Sequence, residues 1–250
     1  MDHHPLQDLK GIKYYNPLKY DKDDSRPTSY WAYQIAKENL WIAIVGMVGD
    51  WHIPKEELDE FKKLYPELLP KKVTPGEILF NSKLGELAKI FNFCLKGPTK
   101  SSLQCIKVLT RIETPEEILK QTTPRGKFIY KHYEKINKRY KKRLEDALKT
   151  KSDSKLLVYT YPPDNDSFTS MISNELIHKH PSKIILVAKI KYDHVNISFR
   201  SKTINLPNLI HKALEGLEGY GGGHKEAAGA HIKKEYFEEF LERIKKAVEN

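Results

Sequence analysis

The chain has 250 residues, of which 39% are hydrophobic and 30% charged, so it can bury the core of one large or two small domains. Its longest apolar run, residues 40–48, is about half of the roughly 18 residues that a membrane helix needs, and residues 1–30 are polar, so we expect neither a membrane span nor a secretory signal. Two cysteines without a CxxC pair give no disulfide framework and favour the cytoplasm. The net charge of +10 favours a polyanion such as nucleic acid, although lysine-rich surfaces also occur on proteins that bind none.

Helical signals dominate the first 150 residues. Apolar side chains at helical spacing predict a helix at 27–39, and the continuous apolar run 40–48 indicates a buried strand that ends at Gly49-Asp50. Prolines and glycines predict a loop-rich stretch over 54–76, followed by a helix at 77–93. Thr114-Pro115 has the residue types of a helix start.

The helix predicted at 126–149 is the most one-sided of the chain. Its apolar stripe follows three- and four-residue steps and consists of Ile129, Tyr133, Ile136, Tyr140, Leu144 and Ala147. The opposite face is rich in lysine and arginine, and we take Lys138, Arg139 and Lys142 as candidate contacts to a nucleic-acid backbone. A solvated helix face without a ligand explains the same pattern.

After a short polar linker at 151–154, strands alternate with helices, which is typical of an α/β domain. We predict strands at Leu156–Tyr161, Ile184–Val187 and Val195–Phe199, and helices at 167–180, 207–215 and 235–248. A glycine run lies between the last two helices and is predicted to be a loop.

Three groups of residues carry chemistry. Asp2-His3-His4 is a compact set of ligands for a divalent metal ion. The backbone of Gly221, Gly222 and Gly223 can approach an anion because no side chain intervenes, and His224 adds a donor. Arg200-Ser201 ends a predicted strand and offers a guanidinium and a hydroxyl to a phosphate.

Together these motifs resemble the DHH phosphoesterase superfamily with a DHHA1 C-terminal domain, and within it the archaeal RecJ-like proteins. Asp2-His3-His4 is similar to the motif that names the family, and Gly46–Trp51 to the later motif in which an aspartate follows a hydrophobic strand. The resemblance implies an α/β fold. Residues 1–96 would be the C-terminal portion of a partly parallel-sheet DHH domain, residues 97–152 a helical connector, and residues 153–250 a smaller α/β DHHA1 domain.

The resemblance also implies roles for individual residues. His3 and Asp50 would be metal ligands, Asp2 would ligate or orient the histidines, and His4 would act at the scissile phosphate. Arg200, Ser201 and His224, with the backbone of 221–223, would hold the substrate. The implied chemistry is phosphodiester hydrolysis by two Mn²⁺ or Mg²⁺ ions.

Members of the family begin with a region that supplies further aspartates to the metal site and that has no counterpart here. The strand before Asp50 would then leave an unpaired edge. We therefore expect a second polypeptide to carry the N-terminal half of the DHH domain and to complete the two-metal site.

The function implied is that of a metal-dependent exonuclease on single-stranded DNA or RNA, with replication proteins as further partners. Two alternatives stay open. One is a non-catalytic replication scaffold of the Cdc45 type, which the retained ligand set disfavours. The other is a phosphoesterase of the same family that acts on small nucleotides.

Overall fold

A computed structural model describes residues 1–4, 6–24, 26–163 and 166–249, and in these ranges the chain folds into two compact units, residues 1–136 and 137–250. The described part contains eleven α-helices and one five-stranded sheet, so the predicted α/β class is confirmed. None of its helices is both long and apolar enough to cross a lipid bilayer.

All regular secondary structure in the described residues of the first unit is helical. Its helices are α1 Thr28–Ala36, α2 Leu40–Gly49, α3 Lys55–Leu64, α4 Pro75–Asn81, α5 Lys83–Cys94, α6 Thr99–Leu109, α7 Pro115–Leu119 and the first half of α8 Pro124–Leu148. The stretch predicted as loop-rich contains α3. The helix predicted at 77–93 is interrupted at Ser82, whose hydroxyl accepts a hydrogen bond from the Gly85 main-chain N–H and starts α5.

The run 40–48 is the helix α2, so the strand predicted there is wrong. Seven of its ten residues are buried, on all sides of the helix, and a helix that is apolar all round has no helical periodicity that a sequence could display. Gly46 explains the close packing against α1, because a Cβ at this position would lie 2.8 Å from the Ser29 Cβ. The partial parallel sheet and open strand edge predicted for this region are thus absent from the described residues of the first unit.

Asp50 lies at the C-terminal end of α2, where the chain turns sharply. The main-chain N–H of Trp51 donates to Val48 O (2.9 Å) and that of His52 to Met47 O (2.9 Å), the pair of bonds that defines a Schellman motif. Trp51 has a φ of 61°, a left-handed conformation that glycine usually adopts at this position. The turn places the Asp50 carboxylate on the surface, half exposed.

The second unit contains the sheet. After α8 come β1 Leu156–Tyr161, α9 Thr169–Lys179, β2 Ile184–Ile190, β3 His194–Arg200, α10 Leu206–Leu214, β4 Gly219–His224, β5 Ala227–Lys233 and α11 Phe237–Glu249. The spatial order is β1-β2-β3-β5-β4, with β1 and β2 parallel and the other pairs antiparallel. The strands and helices predicted for this half are confirmed to within a few residues at their ends.

The two faces of β3, β5 and β4 differ in chemistry. One face consists of apolar residues such as Val195, Ile197, Phe199, Ala228 and Ile232, which form the core together with residues of α10 and α11. Because side chains alternate along a strand, the intervening residues share the opposite face. We call this the polar sheet face; it carries His194, Asn196, Ser198 and Arg200 from β3, Gly229, His231 and Lys233 from β5, and Tyr220, Gly222 and His224 from β4.

The glycine run is an edge strand and not the loop that we predicted. Gly221, Gly222 and Gly223 pair with Ala230, Gly229 and Ala228 of β5. The strand has no room for side chains on its core side, since a Cβ on Gly221 would lie 2.6 Å from Ile210 Cγ2 and 2.8 Å from Gly229 O. Close packing of α10 against the backbone of β4 therefore explains why residue 221 is a glycine. The glycine-rich composition alone had suggested a loop.

The two neighbouring glycines of β4 give a matched test of this packing. Gly221→Ala is expected to destabilise the second unit by about 1–3 kcal/mol, because the added methyl overpacks the contact with Ile210. Gly222→Ala should change stability by less than about 0.5 kcal/mol, since a Cβ there meets no atom within 4 Å. Urea unfolding followed by circular dichroism measures both, and equal effects would show that this packing does not select glycine.

Part of the basic face of helix α8 contacts other residues of the protein. Its predicted apolar stripe is confirmed, with Ile129, Ile136, Tyr140 and Ala147 almost fully buried. Lys138 and Lys142 are exposed, as a contact to nucleic acid requires. Arg139 is different, because its guanidinium is ion-paired with the buried carboxylate of Asp166. The prediction that Arg139 binds a nucleic-acid backbone is therefore not supported by its environment.

Candidate functional site

The Asp2 carboxylate organises the N-terminal ligand cluster. Its Oδ1 accepts hydrogen bonds from the main-chain N–H groups of His3 (2.8 Å) and His4 (3.1 Å) and from the Nδ1 of His4 (2.8 Å), and its Oδ2 accepts one from the Tyr14 hydroxyl (3.1 Å). The bonds from His4 in particular hold the pKa of this carboxyl well below its usual range. Asp2 is therefore an anion at neutral pH, with both oxygens already engaged.

This arrangement fixes the orientation of His4. Because an ionised carboxylate can only accept, the Nδ1 of His4 carries the proton and its Nε2 keeps a free lone pair. The His4 side chain is 61% exposed, so Nε2 can reach a ligand. A histidine held by a carboxylate through one ring nitrogen is the usual arrangement around protein-bound metals. Of the two roles predicted for Asp2, the geometry favours orientation over direct ligation.

His3 faces Asp50. Its Nε2 lies 3.8 Å from the Asp50 Oδ2, too far for a hydrogen bond but close enough for both atoms to contact one ion or water. Its Nδ1 is buried and has no hydrogen-bond partner among the described residues. A buried ring nitrogen without a partner is costly unless something outside the protein satisfies it. The structure thus groups Asp2, His3 and His4 and places Asp50 beside His3.

Two residues that support this cluster were not predicted. The Asn16 side chain is fully buried and donates to His4 O (2.9 Å) and to the Tyr14 hydroxyl (2.8 Å), while its Oδ1 accepts from the Leu18 N–H (3.0 Å). Tyr14 in turn donates to Asp2. The Asn16-Pro17 pair signals a turn, but no sequence pattern shows that this turn braces a motif twelve residues earlier.

The donor set suits a divalent metal ion. Asp2, His3 and His4 each offer one ligand atom, and these atoms lie within 4.8 Å of one another. Imidazole nitrogens combined with carboxylate oxygens suit Mn²⁺ and other first-row ions better than an all-oxygen site would. The Nε2 of His3, which faces Asp50, and the Nε2 of His4 are the atoms through which the residues present fit such an ion.

In the second unit, Arg200 is an unusual cation. Its Nε donates to the Asn174 Oδ1 (2.5 Å) and its Nη1 to the Phe199 carbonyl (2.7 Å), and both partners are neutral. Burial lowers the pKa of its guanidinium to about 10, so it remains charged at neutral pH. A desolvated arginine held by neutral groups gains most from an anionic ligand.

The remaining predicted substrate residues divide into two groups. His224 is exposed at the end of β4, and β5 brings it onto the same face and the same end of the sheet as Arg200, since both residues pair with Ala227. Ser201 is 1% exposed, and its hydroxyl accepts from the Thr203 N–H (3.1 Å). In this conformation the hydroxyl shapes the turn after β3 and faces away from solvent.

Comparisons with known proteins agree with this description. The DHHA1 domain family matches residues 135–250. RecJ from Thermus thermophilus in complex with Mg²⁺ has a similar fold, with a TM-score of 0.56, 16% identity, and coverage of 84% of this chain and 34% of that one. The Mn²⁺ complex of the same protein gives 0.56 and 16%, with coverage of 93% and 38%.

A third structure, a DHH domain from a protein described as a member of a ribosomal protein family, gives a TM-score of 0.56 at 15% identity and covers 93% of this chain and 57% of that one. This chain thus spans between about a third and three fifths of the length of these three structures. No curated protein matches the sequence. Residues 135–250 thus match a DHHA1 domain, and the fold of this chain is similar to those of RecJ and of a DHH domain.

Proposed function

We propose that the chain is part of a divalent-metal-dependent exonuclease that hydrolyses phosphodiester bonds in single-stranded DNA or RNA. The observation that carries this proposal is the ligand cluster in which Asp2 holds His4, while the Nε2 of His3 lies 3.8 Å from the Asp50 carboxylate. A non-catalytic scaffold has no need for histidines that are oriented in this way.

His3, His4 and Asp50 are the residues that would hold the metal, with Asp2 as their orienting anion. Divalent ions held there, Mn²⁺ or Mg²⁺, supply a nucleophile near neutral pH and offset the negative charge of the transferring phosphoryl group. Asp2 keeps the proton of His4 on Nδ1, so that Nε2 faces the ligand throughout the reaction.

The DHHA1 unit would hold the substrate. Arg200 is proposed to bind a phosphate, and its two neutral partners leave its full charge for that contact. His224 and the backbone of Gly222 and Gly223 would complete the site on the edge strand. Lys138 and Lys142 on α8 remain candidates for the nucleic-acid backbone, without Arg139.

A second polypeptide that completes the metal site remains our proposal, and so does a cytoplasmic location. Four candidate ligands are too few for two ions. Leu6, Leu9 and Ile12 follow the ligand cluster and are 52%, 41% and 62% exposed, which supports a surface that another segment covers. The open strand edge predicted before Asp50 does not support this partner, since residues 40–49 form the helix α2.

The test is a cleavage assay on end-labelled single-stranded DNA and RNA with Mn²⁺ or Mg²⁺. The chain is assayed alone and together with any polypeptide, encoded beside it, that carries the aspartate motifs of the N-terminal half of a DHH domain. Metal-dependent release of nucleotides by the mixture supports the proposal. Strand binding without cleavage under every condition would favour the scaffold, and cleavage restricted to dinucleotides would favour the small-nucleotide phosphoesterase.

Arg200 gives a second prediction. Arg200→Gln is expected to weaken binding of a 5′- or 3′-phosphorylated oligonucleotide by about 10- to 100-fold, because charge-assisted hydrogen bonds contribute about 1.5–3 kcal/mol. Arg243→Gln is the control, since this arginine is engaged by Ala213 O, Glu215 O and Glu239 on the other side of the core. Fluorescence anisotropy measures both, and equal losses would show that Arg200 acts through net charge alone.

A further inference from the structure

Three aromatic rings form a ladder across the polar sheet face. Tyr220 of β4 stacks on His231 of β5, with ring centroids 5.1 Å apart and an angle of 25° between the planes. His231 in turn lies against His194 of β3, at 4.5 Å and 38°. Tyr220 is 71% exposed, so the ring that ends the ladder has a face open to solvent.

Hydrogen bonds fix both histidines of the ladder. The Nδ1 of His231 bonds to the Asn196 Oδ1 (2.7 Å), and the Nδ1 of His194 to the Asp193 Oδ1 (2.5 Å). Since both oxygens can only accept, each Nδ1 carries a proton. The pKa of His231 lies below its usual value, chiefly because of burial and then because of His194, so the Nε2 of His231 is left as an acceptor. Hydrogen bonds therefore hold both rings in place, and the rings present flat surfaces.

The ladder stands between two cavities. On one side is a trough of about 390 Å³ on the sheet face, lined by Asn196, Tyr220, Gly222, Gly229 and His231. Gly222 and Gly229 pair directly, so the floor of this trough has no side chains. On the other side is an open cavity of about 930 Å³, which Tyr220, His231 and His194 also line.

The trough points from the ladder toward Arg200 and His224. Ala227, which pairs with both of those residues, is four positions before His231 on β5, which corresponds to about 14 Å at 3.4 Å per residue. A strand in stacked helical geometry advances about 3.4 Å per nucleotide, so about four nucleotides span this distance, and fewer do so when extended.

We propose that the Tyr220–His231–His194 ladder is a second binding site, on which a nucleobase of a single strand stacks when the terminal phosphate of that strand lies at Arg200. This proposal rests on the proposed function and adds to it a site that binds a base by stacking. Stacking on an aromatic ring is the usual way in which proteins hold single strands without sequence preference.

The charges around the ladder favour a base over a phosphate or a metal ion. Two lysines and three carboxylates line the larger cavity, and Lys233 is ion-paired with Glu218 (2.6 Å), so the cavity offers no excess of positive charge to a phosphate. The only group of three or more metal-ligating side chains within the described residues is Asp2-His3-His4. Flat rings with fixed acceptor atoms match a planar base that carries amino groups.

The experiment uses residues 1–250 with a metal chelator, so that nothing is cleaved. Oligodeoxyadenylates of one to six nucleotides carry 2-aminopurine at the end distant from a 5′- or a 3′-phosphate. We expect affinity to rise by about 5- to 150-fold once the strand is long enough to reach Tyr220, with quenching of 2-aminopurine at the same length. Tyr220→Ala should remove both the gain and the quenching, and Tyr220→Phe should keep them, because it preserves the ring.

Tyr220 is exposed, so both substitutions should leave the fold intact, which circular dichroism checks. If mononucleotides bind but length adds no affinity, or if Tyr220→Ala keeps the gain, the ladder site is refuted while the proposed function stands. Loss of the gain in Tyr220→Phe would point to the hydroxyl and would also refute stacking. If no nucleotide of any length binds, both proposals fail.

Discussion

His3→Ala is expected to abolish metal-dependent cleavage by the assembled enzyme, with a loss of more than about 100-fold. Replacing residues that merely orient a metal ligand typically costs 10- to 100-fold in metal affinity or activity, and loss of a ligand should exceed that range. His3 is placed as a ligand because its Nδ1 is buried without a partner and its Nε2 faces Asp50 across 3.8 Å. Isothermal titration with Mn²⁺ and a cleavage assay measure the two effects separately.

Asp2→Asn is the informative comparison. An amide cannot hold the Nδ1 proton of His4 as a carboxylate does, so the loss should fall within about 10- to 100-fold and should be smaller than that of His3→Ala. His180→Ala, at the end of α9 in the other unit, should leave Mn²⁺ affinity unchanged. Single-strand binding should persist in all three variants. A His3→Ala protein that binds Mn²⁺ as the parent chain does would remove His3 from the metal site.

Gly126→Ala is expected to produce the largest loss of stability in the first unit, about 3 kcal/mol or more. A Cβ on Gly126 would lie 1.7 Å from the main-chain oxygen of Glu117, a distance that no side-chain rotation can relieve. The Thr123 hydroxyl also links α7 to α8, because it donates to Glu117 (2.7 Å) and accepts from the Gly126 N–H (3.1 Å). The start of α8 must therefore move away from α7, and these bonds must lengthen or break.

Gly49→Ala is the matched control for this prediction. Gly49 is also a helical glycine of the first unit, but a Cβ there meets no atom within 4 Å. Alanine is favoured over glycine in helices by up to about 1 kcal/mol, so this variant should be as stable as the parent or slightly more stable. Thermal unfolding followed by circular dichroism compares the two variants. A Gly126→Ala protein that unfolds at the parent temperature would show that α7 and α8 do not approach so closely.

The elements predicted correctly from the sequence are those with a clear hydrophobic pattern or a clear boundary. Helix α8 has a single apolar stripe, and β1 is bounded by a polar linker, so both were placed correctly. The run 40–48 was misassigned because α2 is buried on every side, which removes the contrast on which periodicity depends. The edge strand β4 was missed for a different reason. Gly221 makes room for Ile210 of the preceding helix, a contact that no residue pattern in the sequence displays.

The candidate site shows a similar division. Residue types and motif resemblance singled out Asp2, His3, His4 and Asp50, and the structure brings these four together. What a sequence does not contain is the direction of each side chain. The Ser201 hydroxyl bonds to its own turn, and Arg139 is engaged by a buried carboxylate. In both cases a group within the protein already bonds the hydroxyl or guanidinium that a ligand would have contacted.

Two contacts hold the C-terminal half of α8 in the second unit, and they affect how this unit tolerates a break in its chain. Arg139 is paired with Asp166, just before α9, and Tyr140 donates a hydrogen bond to Glu175 of α9 (2.6 Å). Both carboxylates are buried, so separating α8 from α9 would leave them without these partners. Lys149 and Lys151, in the connection from α8 to β1, are exposed. After proteolytic cleavage there, the two buried pairs would still hold the end of α8 against α9, so this connection is where the second unit should tolerate a break or an inserted domain.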